Sequence, residues 1–295
     1  MTQIKRDQHE TAALEQVAGV APVDEPTPLP SEQPQTANVP IRLPVRHNRR
    51  LASIIQRANA DAELRALWEA ANVNAVDRLG MSDHGPVHVQ IVSNIALKLL
   101  RMLMEHGASA GIVHNHGLEP EDAEVVVVLG ALLHDLGIAI HREKHEEHSL
   151  FLAWGKAREL LDGVYDVPTR TIVAAETLHA IQAHQRQAKP LTLEAGALKV
   201  ADALDMTRGR SRIPFEAGQV NIHSLSAASI ERVEITRGEE RPIQVRITMT
   251  NSAGIFQVDE LLKGKLESSG IASYIEVVAV STSEQEQRLV ERYRI

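Results

Sequence analysis

Leu132-Leu133-His134-Asp135-Leu136-Gly137 closes a run of apolar residues that begins at Val125. An imidazole and a carboxylate stand side by side at the end of a helix too apolar to hydrate them. Nitrogen and oxygen donors presented in this way are natural ligands for a divalent metal ion. Pro120 suits the first turn of that helix, where its missing N–H costs nothing, and Gly137 suits the stop.

Outward from this segment, apolar residues recur at helical spacing from Arg49 to about Arg212. The pattern predicts one broken or two short helices over 51–60 and 61–79. Ser82 and Asp83 offer caps for a helix that Pro86 opens and that runs through Val89, Val92, Ile95, Leu99 and Leu103. Further helices are expected over 145–161, 169–185 and 191–206, with His106, His114 and His116 in a glycine-containing loop. Beyond Pro214 the texture changes. Residues 230–236 and 243–249 alternate around Arg237-Gly238-Glu239-Glu240-Arg241-Pro242, which is a hairpin signature. Residues 253–268 turn helical again and 273–280 alternate, so the end of the chain reads β-β-α-β. The expected fold is mainly α: an all-helical core over 46–215, followed by a small α+β domain over 216–295. Residues 1–45 hold seven of the 13 prolines among Glu, Gln, Thr and Ser, a mixture expected to stay disordered.

Composition narrows the function. With no cysteine among 295 residues, disulfides, thiolate zinc sites and cysteine nucleophiles are excluded. A net charge of −8 argues against duplex nucleic acid as a partner, and 3% aromatic residues leave little for single-stranded bases to stack on. No secretory signal is visible at the start, and the apolar run 125–140 is too short to cross a bilayer, so a cytoplasmic protein without membrane attachment is expected.

Eleven of the 14 histidines fall between His84 and His184. His84 and His88 are one turn apart, and the intervening Gly85 and Pro86 put His84 before the helix proper, which favours His88 as the better-held ligand. His141, His145 and His148 share one face if their segment is continuous, although interleaved Glu and Lys also fit a solvated surface. His179 and His184 stand about 140° apart around a helix of 3.6 residues per turn, so one of them faces any given site, and His184 is preferred. Asp202 lies within an apolar face, where an unpaired carboxylate is costly unless it meets a cation or an arginine. Asp205 has the plainer explanation of a helix-end acid. Arg208, Arg210 and Arg212 follow directly, suited either to bidentate phosphate contact or to a helix C-terminus.

In their order and spacing these residues resemble the HD-domain metal-dependent phosphohydrolase superfamily: His88, the His134-Asp135 doublet, and Asp202 in Ala201-Asp202-Ala203-Leu204-Asp205. The resemblance covers about residues 80–212. It implies a helical core in which His88, His134, Asp135 and Asp202 hold one divalent ion, with Asp135 bridging to a second where one exists. Members with two metals add two histidines before the final aspartate. His148 and His184 match those positions best, which implies a binuclear centre, with His84, His141, His145 and Arg142 as further pocket candidates. The ions would be manganese, magnesium, iron or zinc. Many relatives carry a lysine where this chain has Ile138, and Arg142 or Lys144 stand nearby as substitutes.

The activity so implied is hydrolysis of a phosphate ester of a nucleotide or similar small molecule by a metal-activated water. Asp135 would orient or deprotonate the nucleophile, and Arg208 and Arg210 would clamp phosphate. A metal-containing sensor or scaffold that binds a nucleotide without turnover is the alternative, favoured by Ile138 and opposed by the full ligand set. The C-terminal sheet is expected to form a homodimer through an exposed edge or to bind an effector.

Overall fold

The computed structural model describes residues 39–206 and 228–282, with Ser226 and the strand Tyr293–Arg294. Most of the expected tail, and Arg208, Arg210 and Arg212, lie outside the described residues. Residues 39–45, assigned to that tail, are packed instead. Ile41 is buried, and its backbone N–H and C=O are both bonded by the side-chain amide of Asn59 at 2.8 and 2.9 Å.

The helices follow the caps written in the sequence. Asn48 caps α1 (Arg49–Ala60) by accepting from the Leu51 N–H, and Asp61 caps α2 (Ala62–Asn72) by accepting from Leu64. A wide π turn, Val73–Arg78, prolongs α2. Gly85 precedes α3 (Pro86–Glu105), whose first turn is held from outside by the Asp83 carboxylate, which accepts from Gly85 and His88 N–H groups at 3.2 Å. The region expected as a loop contains a short helix, α4 (Gly111–His116). Its first amides are satisfied by a distant group, the buried Glu194 carboxylate, at 2.8 and 3.0 Å. That partner is 83 residues away in sequence, so local spacing carried no sign of it.

A reciprocal Glu119/Asp122 capping box and Pro120 open α5 (Pro120–Leu133). From Asp122 to Leu133 every residue of α5 is buried, so this helix is the axis of the domain. Its four consecutive valines are poor helix formers, but burial on all sides outweighs that propensity. Around it pack α1, α3 and α4, then α6 (His145–Leu160), α7 (Val167–Ala183) and α8 (Leu193–Leu204). Asp166 and Thr192 cap α7 and α8. Among the described residues α3 alone is long and apolar enough to suit a membrane span, and over half of it is buried inside the protein.

The sheet has the order β1-β2-β3-β4. Strands β1 (Ile230–Arg237) and β2 (Ile243–Met249) form the expected antiparallel hairpin. A helical stretch then crosses over: α9 (Gly254–Gln257), a π turn (Val258–Lys263) and α10 (Gly264–Glu267). This crossover lets β3 (Ile275–Ser281) pair parallel to β2. β4 (Tyr293–Arg294) adds a short antiparallel edge. Val245, Ile247 and Val277 of the sheet belong to the same apolar cluster as Leu132 of α5 and Leu198 of α8.

Candidate metal centre

The α-helical path of α5 ends at His134, and the backbone leaves it at Asp135 (φ −102°, ψ 5°). The carbonyls freed at this end are not left dry. Trp68 donates its indole N–H to Leu132 O at 2.8 Å, and Asn74 donates to Ile138 O and Ala139 O at 2.7 and 3.0 Å. Ser149 of α6 closes the remaining gap, accepting from Gly137 N–H at 2.8 Å and donating to His134 O at 2.5 Å. Gly137 is required by this contact: a Cβ there would lie 2.1 Å from the His145 carbonyl oxygen and 2.4 Å from Ser149 N. The HD turn is therefore clamped directly against the start of α6.

Two three-residue groups of donor atoms result, and they share Asp135: His88, His134 and Asp135, then Asp135, His145 and His184. Asp135 Oδ2 lies 3.3 Å from Nε2 of both His88 and His134. Its Oδ1 lies 3.2 Å from His145 Nε2 and 3.9 Å from His184 Nε2. Asp202 Oδ1 stands beside the first group, 3.5 Å from His88 Nε2 and 3.8 Å from His134 Nε2.

The ring nitrogens facing away are engaged. His88 Nδ1 is 2.6 Å from Asp205 Oδ2, His134 Nδ1 is 2.9 Å from Ala131 O, and His184 Nδ1 is 2.5 Å from Ile181 O. Acceptors at Nδ1 place the proton there and leave the Nε2 lone pair for the site, the arrangement a metal-binding histidine requires. His145 Nδ1 lies 3.2 Å from two acceptors, Arg142 O and Glu146 Oε2, but also 2.6 Å from the Arg142 guanidinium, so it accommodates either tautomer. Nε2 atoms consequently confront each other, at 3.2 Å between His88 and His134 and at 3.3 Å between His145 and His184. Facing lone pairs need a cation, or at least a proton, between them. The donor set fits divalent metal.

The electrostatics say the same. Burial by itself would push the Asp135 carboxyl up, but His134, His145 and His88 hold it well below the usual carboxylate range. Burial opposes protonation of His134, yet the Asp135 and Asp202 carboxylates raise it to about 10. His184 is pushed well below its ordinary value by burial and by the charge on His134. Burial would raise Asp202, and Lys265 followed by His134 holds it well down. The pocket concentrates negative charge and retains one proton where a cation belongs.

The structure thus brings together His88, His134, Asp135, His184 and Asp202. His145 takes the place assigned to His148, which corrects that preference. Lys144 adopts a left-handed conformation (φ 56°) and α6 starts only at His145, so the His145 side chain in the first turn points at Asp135, whereas half-buried His148 belongs to neither donor group. His84 is buried beside His88, with ring centroids 5.4 Å apart, and its Nδ1 is 2.6 Å from Ser82 O, outside both groups. His141 is exposed and accepts from Glu143 N–H. Ile138 is fully buried against Ala71 and Ala75. Arg142 and Lys144 line a cleft of about 630 Å³ that His145 shares with His141, Glu146 and Arg186. Asp205 and Lys265, which contact His88 and Asp202 at the centre, are the residues that sequence reasoning passed over. Asp205 drew attention only as a helix-end acid, and nothing local marks Lys265.

An HD-domain family model matches residues 87–207. An uncharacterized protein of Methanocaldococcus jannaschii is 45% identical over 209 residues, covering 71% of this chain and 81% of its own. Ribonuclease Y of Opitutus terrae is 24% identical over 241 residues, 74% of this chain and 42% of its own. Ribonuclease Y of Geotalea uraniireducens is 30% identical over 177 residues, 56% and 30%. The chain spans less than half the length of these ribonucleases.

Proposed function

Because the chain belongs to the HD-domain family of metal-dependent phosphohydrolases, we propose that it hydrolyses a phosphate ester of a nucleotide or similar small molecule at a two-ion centre. What carries this reading is the sharing of Asp135 between two histidine-containing groups of donors. His88, His134 and Asp202 would hold one ion, and His145 and His184 the other. Divalent ions bound there supply an acidified water and neutralise charge on a phosphoryl oxygen.

The protein's own residues then have defined tasks. Asp205, Ala131 O and Ile181 O keep three imidazoles in the ligand tautomer. Asp135, whose two oxygens face both groups, would orient the attacking water between them. The adjoining cleft mixes Arg142, Lys144 and Arg186 with Glu143 and Glu146, and Lys144 stands on the His145 side to meet an anionic substrate.

The ribonuclease Y relatives favour a second substrate, an RNA phosphodiester. The overall charge of −8 and scarcity of aromatic residues favour a single nucleotide over a long strand. A screen with added manganese, comparing mononucleotides with short oligoribonucleotides, separates the two. Asp135→Ala serves as the control, and turnover that survives it overturns the site. A protein that binds manganese and nucleotide but turns over neither substrate would instead be the sensor considered above. We also propose a homodimer through the β1 edge, and light scattering that returns the monomer mass would exclude it.

A further inference from the structure

The two oxygens of Asp202 face opposite ways. Oδ1 looks toward His88 and His134, whereas Oδ2 accepts from Lys265 Nζ at 2.5 Å. Lys265 does not come from the helical core: it is the second residue of α10, separated by Gly264 from the π turn Val258–Lys263. Wide turns of this kind recur where a helix must aim a side chain at a working site. Tight packing fixes the approach. Gly196 on α8 lies so close to the chain after α10 that a Cβ there would stand 2.5 Å from the Ser269 carbonyl oxygen. The Lys265 side chain is 18% exposed, so its ammonium sits where the buried carboxylates meet solvent.

We propose that Lys265 is the phosphate-binding cation of this site, held on Asp202 in the metal-free protein and turned to a phosphate oxygen of the substrate once a divalent ion engages that carboxylate. The proposal rests on the phosphohydrolase reading. One observation and two physical arguments support it. The HD turn offers no ammonium of its own, since Ile138 points into the apolar cluster. An ammonium and a divalent ion on the same carboxylate repel each other, and a phosphate placed between them removes that repulsion. Lysine is a mobile point charge with three donors, able to exchange a carboxylate oxygen for a phosphate oxygen without rebuilding the site.

The test uses the full chain and its Lys265→Gln and Lys265→Arg variants, titrated calorimetrically with manganese alone and then, manganese-loaded, with inorganic phosphate. Removing the ammonium should tighten manganese binding several-fold and weaken phosphate binding about tenfold, the loss of one charge-assisted hydrogen bond. Lys265→Arg should keep phosphate affinity near that of the parent. Gly196→Ala, which displaces the chain bearing Lys265 without touching a charge, should weaken phosphate binding in the same direction. Phosphate affinity unchanged in Lys265→Gln overturns the proposal, as does manganese affinity that falls together with the metal-free melting temperature. The latter would make the lysine a structural tether. A parent protein that takes up no manganese defeats the hydrolase reading itself, whereas one that hydrolyses substrate while Lys265→Gln matches its phosphate affinity defeats only this assignment.

Discussion

His145 and His148 differ by three positions, yet only His145 reaches Asp135. His145→Ala should therefore weaken manganese binding by at least the 10–100-fold typical of a lost contact at a metal site, and His148→Ala should leave it nearly unchanged, as read by calorimetric titration. The reverse ranking would return the second position to His148. Asp205→Asn tests the support behind His88. Losing the carboxylate at Nδ1 should cost roughly 10–100-fold in affinity while the protein stays folded. The retained proton adds a pH dependence. His134 is raised from 6.5 to about 10, so in metal-free protein its charged form stabilises the fold fully below 6.5, and that contribution is lost as pH climbs toward 10. An entering ion must expel the same proton, so manganese affinity should rise with pH across this window, with proton release detectable in weakly buffered solution. Affinity that is flat over the window would remove the proton from the site.

At the scale of elements, the junction between α5 and α6 is the stress point. Ser149→Ala leaves the Gly137 N–H and the His134 carbonyl without the hydroxyl that serves both, at a cost of about 1–3 kcal/mol for each orphaned group. Urea denaturation of metal-free protein should show that loss, and an unmoved midpoint would refute it. Gly137→Ala should be worse, because the added methyl meets backbone atoms of α6 that have no freedom to yield. The helices were legible in the sequence because their signals are local: helical apolar spacing, and Pro86 and Pro120, which open their helices within one turn. The hairpin and the HD turn were legible for the same reason. The choice between His145 and His148 was not, since it depends on where a left-handed residue starts α6. Asp205 and Lys265 were hidden because each acquires its role through a partner far along the chain, 117 residues for Asp205 and 63 for Lys265.

Across the whole molecule, helices and sheet draw on one apolar cluster, so heating should melt them in a single transition. An ion that binds only the folded state at about 100 times its dissociation constant adds roughly 2.7 kcal/mol, worth about 5–10 °C in melting temperature at this size. Treatment with a chelator should lower the transition by that amount, and a melting temperature indifferent to chelator would argue against a resident ion. The two oxygens of Asp135 each answer to a different pair of imidazoles. The carboxylate plane cannot be tuned for one neighbour without retuning it for the other, so filling the two positions is a linked equilibrium. Whatever the first arrival does to the affinity of the second, the second does equally to the first, and the total is the same in either order of loading. Mixed occupancy by two different elements is then governed by that reciprocity rather than by the preference of either half alone.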